Sequence, residues 1–403
     1  MVPFIISGSD TIERNMEITN IEPYIVPIPP EGGEMVEDGH FWTETNWVFI
    51  EVETDEGVVG VGEANWTVFR ARTVVQALED MERFAVGLNP FDVETLRQRM
   101  YNGNHFLHTP GVVQSMVIGA IEMACWDIMG KVTGQPVYNL LGGKVNDRIR
   151  SYTYMHYKWM PPEPPEKAAE AARHYVDKGF TAVKLDPVRP KEGPRNPRID
   201  ELEYAEAAVA AVREEVGNEA DILIGTHGQL YTHSARRLAA RLEPYDPLWF
   251  EEPVPPENFG ELREVVDSTS IPVSTGERLL TVHQMAQAVE NGVRIIQPNV
   301  GLTGLLEARK MAGIAQAHYA QVAPWMYAGP IAGAASVHLC AAIPNYLLQE
   351  SLEGWNGFHN DILEDGLEWD NGDLIPPEKP GLGVEFDRSV LESYAGEYRP
   401  ESS

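Results

Sequence analysis

The clearest indication of the fold is the series "PLWFEEP" (247–253), "PVSTGER" (272–278) and "RIIQPN" (294–299). Each begins as a short apolar run and ends in polar or ionisable residues, and a helical pattern fills the interval to the next run. Strands separated by roughly 20 to 40 residues of helix are typical of βα units with parallel strands. Similar runs extend the series on both sides: "IRSYTYM" (149–155), "TAVKLD" (181–186), "DILIGT" (221–226), "QVAP" (321–324) and "YLLQE" (346–350). We therefore predict an α/β fold built on a closed βα barrel, with functional groups where the strands end.

The first 140 or so residues have a different pattern. "NWVFIEVETDEGVVGVGEANW" (46–66) alternates as an antiparallel hairpin does, with its turn at Asp55-Glu56-Gly57. "VVQSMVIGAIEMACWDIMGKVTG" (112–134) predicts a long amphipathic helix that ends near Gly130. We therefore predict an α+β domain before the barrel. The stretch 27–40 is rich in Pro, Gly and acid, so it is interpreted either as a mobile lid over the barrel or as a disordered connection.

The composition excludes several classes of function. The 403 residues carry 61 acidic and 31 basic side chains and a net charge of -30, which argues against nucleic acid binding. Concentrated salt screens such self-repulsion, so we expect a halophilic protein, although a merely acidic one fits the same numbers. No uncharged apolar run reaches 18 residues, which predicts no membrane span, and we expect a cytoplasmic protein. Cys125 and Cys340 lie in apolar helical patterns and are expected to be buried free thiols.

Polar or ionisable residues recur at the predicted strand ends. Lys184 and Asp186 are two apart, so strand alternation directs both toward the barrel interior. The other strand ends contribute His227, Glu251, Glu277-Arg278, Asn299, Trp325 and Glu350. Carboxylates that converge on one face need a cation to neutralise them, and oxygen ligands favour Mg²⁺ over Zn²⁺. Taken singly, each glutamate fits a solvated rim position and Lys184 fits an ion pair with Asp186. Their recurrence at successive strand ends favours a functional site.

These motifs, together with "AIEMACWDIMGKVTGQPVYNLLGG" (120–143), resemble the enolase superfamily, mandelate racemase group. Within that group the chain is most similar to the dehydratases of sugar acids. The resemblance implies an α+β capping domain over 1–145, a modified TIM barrel of (β/α)7β form over 146–353, and a segment over 354–403 that returns to the cap. It also implies a homo-oligomer that acts on a small-molecule sugar acid.

The chemistry implied by the resemblance is Mg²⁺-dependent dehydration of a sugar acid, gluconate or xylonate being favoured, to a 2-keto-3-deoxy acid. A base removes the proton α to the carboxylate, Mg²⁺ stabilises the charge that develops, and the β-hydroxyl leaves. By resemblance, Glu251 and Glu277 match metal ligands, Lys184 matches the base, and His227 matches the acid for the departing hydroxyl. Glu350 matches the residue that bonds the substrate carboxylate region. Asp186 is grouped with the catalytic residues.

Three positions depart from the family pattern. Gly225 stands where the first metal-binding aspartate is expected, which makes His227 a candidate nitrogen ligand as well as an acid. Asn299 and Trp325 stand where an aspartate and the histidine that it orients are expected. Their joint loss shifts the base to Lys184 or to a tyrosine, Tyr154 or Tyr157.

Two alternative functions stay open at this point. Racemisation or epimerisation of a 2-hydroxy acid needs a base on each face of the substrate, which the loss at Trp325 disfavours. A catalytically silent member of the superfamily is disfavoured because the ionisable residues are retained together. Five residues are expected to bind the substrate: Trp325, Asn299, Arg278, Tyr154 and Trp42.

Overall fold

The computed structural model describes residues 16–27, 46–64, 70–103, 105, 110–155, 163–189, 193–352 and 357–395. Most of the predicted lid (27–40), Trp42 and Tyr157 lie outside the described residues. Structural statements below concern the described residues.

The N-terminal part is an α+β unit, as its sequence predicts. Strands β1 (Ile18–Pro27), β2 (Asn46–Thr54) and β3 (Val59–Ala64) form an antiparallel sheet in that order. The predicted hairpin is confirmed, since β2 pairs with β3 across a turn at residues 55–57. Among the described residues of this part, three helices accompany the sheet: α1 (Ala71–Met81), α2 (Val93–Asn102) and α3 (Val112–Thr133).

Helix α3 differs from its prediction in two respects. It continues past Gly130 to Thr133, and Gly134 caps it with a left-handed φ of 65°. It is also buried on nearly every side rather than amphipathic, because it lies between the sheet and the barrel. Among the described residues it is the one helix long and apolar enough to cross a membrane, and 78% of its most apolar stretch is buried inside the fold. A core helix meets the same criteria, so this length carries no evidence of a membrane.

The barrel contains eight parallel strands and the seven helices that connect them. The strands are β4 (Ile149–Tyr154), β5 (Ala182–Leu185), β6 (Asp221–Gly225), β7 (Trp249–Glu251), β8 (Val273–Thr275), β9 (Ile295–Ile296), β10 (Gln321–Val322) and β11 (Gln349–Glu350). A short helix α4 (Val137–Leu140) precedes them, and the connecting helices are α5 (Glu166–Asp177), α6 (Ile199–Val216), α7 (Thr232–Leu242), α8 (Phe259–Val266), α9 (Val282–Glu290), α10 (Val300–Ala317) and α11 (Pro330–Ala342). All eight predicted runs therefore contain a strand, and the (β/α)7β form is confirmed.

The barrel closes through its last two strands. Neighbouring strands pair from β4 to β10 in chain order, and β11 pairs with β4. Between β10 and β11, Val322 N donates to Asn345 O and Leu347 N donates to Val322 O, both at 2.8 Å. These bonds complete the ring, so that the C-terminal ends of the strands converge on one mouth.

The C-terminal segment returns to both units. A hairpin of β12 (Trp369–Asp370) and β13 (Asp373–Leu374) adds antiparallel to the start of β4. After a short helix α12 (Phe358–Asp361) and this hairpin, α13 (Arg388–Ala395) packs on β1, and Arg388 forms an ion pair with Glu51 of β2.

Buried carboxylates join the N-terminal unit to the barrel. Glu63, at the end of β3, accepts hydrogen bonds from Gly329 N at 2.6 Å and Ala332 N at 2.9 Å, at the N-terminus of α11. Glu122 of α3 accepts from Leu306 N at 2.8 Å, just after the break in α10 at Gly304. Each carboxylate satisfies amides that a helix start leaves unpaired. The start of α11 lies beside the mouth, so these bonds also fix the cap against the mouth.

We predict that the two glycines of β3 are required for its contact with α3. A Cβ on Gly62 would lie 2.2 Å from the Ala120 carbonyl oxygen, and one on Gly60 would lie 2.2 Å from that of Ala124. Gly62→Ala should therefore lower the free energy of unfolding by about 1–3 kcal/mol through overpacking, measured by urea denaturation.

The matched control is Gly313→Ala in α10, where nothing lies within 4 Å of the added Cβ. There the better helix propensity of alanine should be neutral or stabilise by up to ~1 kcal/mol. Equal losses in both variants would contradict the close strand–helix contact.

Candidate active site

The predicted site residues meet at the mouth of the barrel. Lys184 is in β5, and Glu251 and Glu350 end β7 and β11. Asp186 directly follows the end of β5, and His227 is the second residue after the end of β6. The strand register brings these strand ends together, since Tyr154 of β4 pairs with Lys184 of β5 and Gly225 of β6 pairs with Glu251 of β7. The carboxylates at 186, 251 and 350 and the ammonium of Lys184 are almost completely buried.

Glu251 is the most heavily bonded of these groups. Its Oε1 is in an ion pair with Lys184 Nζ. Its Oε2 accepts from Trp249 Nε1 at 3.0 Å and from Gln297 Nε2 at 2.8 Å. No role was predicted for Trp249 or Gln297 from the sequence. The signal for Trp249 was its place two residues before Glu251, which puts both side chains on one face of the strand.

Lys184 lies among negative charges. Its Nζ is 5.8 Å from the ring centre of Tyr154, within the range of a cation–π contact. Burial by itself lowers the pKa of Lys184, but the charges of Glu251, Glu350 and Glu277 outweigh it and raise the pKa above its ordinary value. Burial also raises the pKa of Glu350, whose Oε2 accepts from Met326 N at 2.8 Å. For Lys184 to be deprotonated and act as a base, a cation would have to neutralise these carboxylates and so lower the pKa of the lysine.

His227 and Asp186 form a second pair. His227 Nδ1 lies 2.6 Å from Asp186 Oδ2. Burial lowers the pKa of His227, but the Asp186 charge and contact outweigh it and raise the pKa to about 9. The backbone of His227 is left-handed, with φ of 51°, and the next amide, Gly228 N, donates to Glu252 O at 2.7 Å. This turn directs the imidazole back over the mouth, where its ring meets that of Tyr154 edge-on at 6.3 Å.

Glu277 is the least satisfied carboxylate of the site. Its Oε2 is buried and has no hydrogen-bond partner among the described residues. Its nearest cation is Arg278, whose Nε is 3.8 Å from Glu277 Oε1. Burial and the charges of Glu252 and Glu251 raise the pKa of Glu277 to about 8, against the smaller opposing effects of His227 and Arg278.

The remaining predicted residues have structural contacts. Arg278 forms an ion pair with Glu252, which is itself buried and accepts from Thr275 Oγ1 at 3.1 Å. Asn299 Oδ1 accepts from Leu302 N at 3.2 Å and so caps α10. Trp325 is half-buried beside Tyr327, with 6.1 Å between the ring centres. Substrate contacts by Arg278, Asn299 and Trp325 stay predictions.

The donor chemistry of the site fits a hard divalent cation. Five buried or nearly buried carboxylates face one lysine and one half-exposed arginine; the carboxylates are those of Asp186, Glu251, Glu252, Glu277 and Glu350. Among the described residues, Glu277 Oε2 has no hydrogen-bond partner. Within the described part of the chain, no three His, Cys, Asp or Glu side chains are close enough as they stand to hold one ion. Binding of one ion by three of these groups therefore requires side chains of the mouth to rearrange.

Comparisons with known families agree with this architecture. Residues 39–142 match the model of the mandelate racemase / muconate lactonizing enzyme N-terminal domain. Residues 167–390 match the model described as enolase C-terminal domain-like.

Individual relatives cover nearly the whole chain. A protein of Haloferax volcanii described as D-xylonate dehydratase is 34% identical over 94% of this chain and 89% of its own length. A protein of Thermoproteus tenax described as D-gluconate dehydratase is 33% identical over 88% of this chain and 72% of its own length. A solved structure from Labrenzia alexandrii DFL-11 has a TM-score of 0.87 and 40% identity, over 94% of this chain and 96% of that one.

We predict that Arg278 stabilises the mouth by compensating Glu252. Arg278→Met should lower the free energy of unfolding by about 2–4 kcal/mol, less than for a fully buried pair because the Arg278 side chain is 40% exposed. The double variant Arg278→Met/Glu252→Gln should recover most of this loss, because it removes the unpaired charge.

The matched control is Arg263→Met, which breaks the pair of Arg263 with Asp267 and should leave the stability nearly unchanged, because both side chains are exposed. Urea denaturation of the four proteins measures the effect. A loss in the double variant as large as that in Arg278→Met would contradict the charge argument.

Proposed function

Because this chain belongs to the mandelate racemase / muconate lactonizing enzyme family of the enolase superfamily, we propose that it is a hydro-lyase that dehydrates a sugar acid to a 2-keto-3-deoxy acid. Gluconate or xylonate is the proposed substrate and Mg²⁺ the proposed cofactor. The dehydratases of Haloferax volcanii and Thermoproteus tenax, described as acting on D-xylonate and D-gluconate, support this substrate class.

The observation that carries the proposal is the pairing of two proton-transfer groups on adjacent strands. Lys184, ion-paired with Glu251, is in β5, and His227, ion-paired with Asp186, follows β6. Dehydration needs one group that removes the α-proton and another that protonates the leaving hydroxyl, so two separately held groups at one mouth suit the reaction.

In the proposed reaction, Glu251 and Glu277 would hold the cation, which would supply positive charge to stabilise the negative charge that develops as the α-proton leaves. Lys184 Nζ takes that proton. Glu350, fixed by Met326 N, bonds the carboxylate end of the substrate. His227 delivers a proton from Nε2 to the β-hydroxyl, because its Nδ1 is occupied by Asp186. The aromatic ring of Tyr154 lies beside both Lys184 and His227.

The alternative reactions have less support. Racemisation needs a second base facing Lys184, and the ends of β9 and β10 carry the capping Asn299 and the half-buried Trp325. A silent barrel would have no need of a buried lysine among several carboxylates, which is costly to fold. Neither alternative is favoured by a specific contact of the site.

We predict that the protein converts gluconate or xylonate to a 2-keto-3-deoxy acid when supplied with Mg²⁺. A panel of sugar acids, assayed for 2-keto-3-deoxy acid with Mg²⁺ and with a chelator, measures this. Lys184→Met, which keeps the bulk of the side chain without its amine, is the control that should form no product. If the wild-type protein is folded by circular dichroism and forms no product from any of the acids, the proposal is wrong.

We also predict that proton removal and hydroxyl loss can be separated. His227→Asn suits the left-handed backbone there, because asparagine tolerates a positive φ. It should slow dehydration by about 100- to 10,000-fold, the range for loss of a general acid, while exchange of the substrate α-proton with D₂O continues. Nuclear magnetic resonance follows both processes. Equal loss of exchange and dehydration would show that His227 is not the acid of the second step.

A further inference from the structure

We propose that Asp186 takes the place of the metal-binding carboxylate missing at Gly225, so that the cation is held by Asp186, Glu251 and Glu277. The proposal rests on the proposed function, because it concerns the same cation. It transfers a ligand from the end of β6 to the end of the neighbouring strand β5, and it removes the need for His227 to act as a ligand.

The carboxylate of Asp186 fills the space that a side chain on Gly225 would occupy. A Cβ built on Gly225 would lie 2.2 Å from Asp186 Oδ1 and 3.1 Å from Lys184 Cε. The backbone of Gly225 is an ordinary strand conformation, so glycine is not required there for its φ. Close approach of the Asp186 side chain is therefore the physical reason for glycine at this position.

Asp186 Oδ1 lies over Gly225, which is next to the strand that carries Glu251. Gly225 pairs with Glu251 in the register between β6 and β7, so an oxygen over Gly225 is one strand away from the Glu251 carboxylate. Glu277 follows β8, the next strand in the same direction. Asp186 Oδ1 over β6, Glu251 on β7 and Glu277 after β8 thus form a row of three carboxylates across successive strands. Carboxylate oxygens are the donor type that Mg²⁺ binds.

The two carboxylate oxygens of Asp186 face different parts of the site. Oδ2 lies 2.6 Å from His227 Nδ1, whereas Oδ1 lies over Gly225. One carboxylate can therefore bind the cation and orient the imidazole together, as carboxylates beside metal sites commonly do. His227 Nε2 then stays available for proton transfer, which direct ligation of the imidazole would compromise.

Mn²⁺ binding in the absence of any sugar acid tests the proposal, with bound ion counted by electron paramagnetic resonance. Loss of a partner outside the ligand set typically weakens metal binding by roughly 10- to 100-fold, and loss of a ligand should cost more. We expect Asp186→Asn to weaken Mn²⁺ binding by at least ~100-fold and His227→Gln by less. Equal or greater loss in His227→Gln would overturn the proposal in favour of ligation by the imidazole.

Exchanging the two positions keeps the test decisive if Asp186→Asn folds poorly. The double variant Asp186→Gly/Gly225→Asp moves the carboxylate to β6 and should recover Mn²⁺ affinity to within about tenfold of wild type, since it restores one ligand. Gly225→Asp alone should not bind Mn²⁺ more tightly, because its Cβ would meet Asp186 Oδ1. Tighter binding by that single variant would show the space to be free and would overturn the proposal.

A crystal structure with Mn²⁺, located by anomalous scattering, gives a direct answer. Asp186 Oδ1 is expected within about 2.0–2.3 Å of the ion, the range for an oxygen ligand to a divalent cation of this kind. An ion bound by His227 with Asp186 beyond contact would refute the assignment. These measurements use no substrate, so a failed sugar acid panel with the expected Mn²⁺ pattern overturns the proposed function and leaves this assignment standing.

Discussion

Uncompensated negative charge at one mouth of the barrel is the constraint on which the site depends. Asp186, Glu251 and Glu350 are almost fully buried there, and Glu277 is nearly so. Burial of like charges is costly unless each carboxylate finds a cation or a hydrogen-bond donor. The contacts of the mouth follow from that cost. Glu251 is ion-paired with a lysine, Asp186 with an imidazole and Glu252 with an arginine, and Glu350 accepts a hydrogen bond from a backbone amide. Glu277, which has the weakest compensation, marks where another positive charge would be most favourable.

Much of the fold was predictable, because the barrel repeats a strong local signal. Every barrel strand lies inside one of the eight runs identified in the sequence, and alternation correctly placed Lys184 and Asp186 on one side. The burial of helix α3 was harder to predict, because the helix is enclosed by a sheet and by α10. Its apolar residues therefore occupy all of its faces and do not form a single apolar face. Its last turn was not predicted because Gly130 was taken as the end of the helix. Gly130 instead allows a close approach of Gly381 in the C-terminal segment, and the residue that caps the helix is Gly134.

The site was predictable as a set of residues and much less as a set of contacts. Strand ends identify which side chains share the mouth, because all parallel strands end at the same edge. They do not show that Trp249 and Gln297 share one oxygen of Glu251, or that Asn299 directs its oxygen to a helix start. Those choices depend on side-chain rotamers and on register between strands. The glycine at 225 is the clearest case, since its meaning lies in a side chain 39 positions earlier in the chain.

The buried carboxylate of Glu63 makes the two units difficult to exchange between relatives. It belongs to the N-terminal sheet, yet the amides that it binds open a helix of the barrel. A chimera that joins the cap of another protein to this barrel would therefore leave the start of α11 with unpaired amides unless the incoming cap brought an equivalent acid. Recombination among these proteins is constrained to carry the end of β3 and the start of α11 together, although 266 residues of chain separate Glu63 from Gly329.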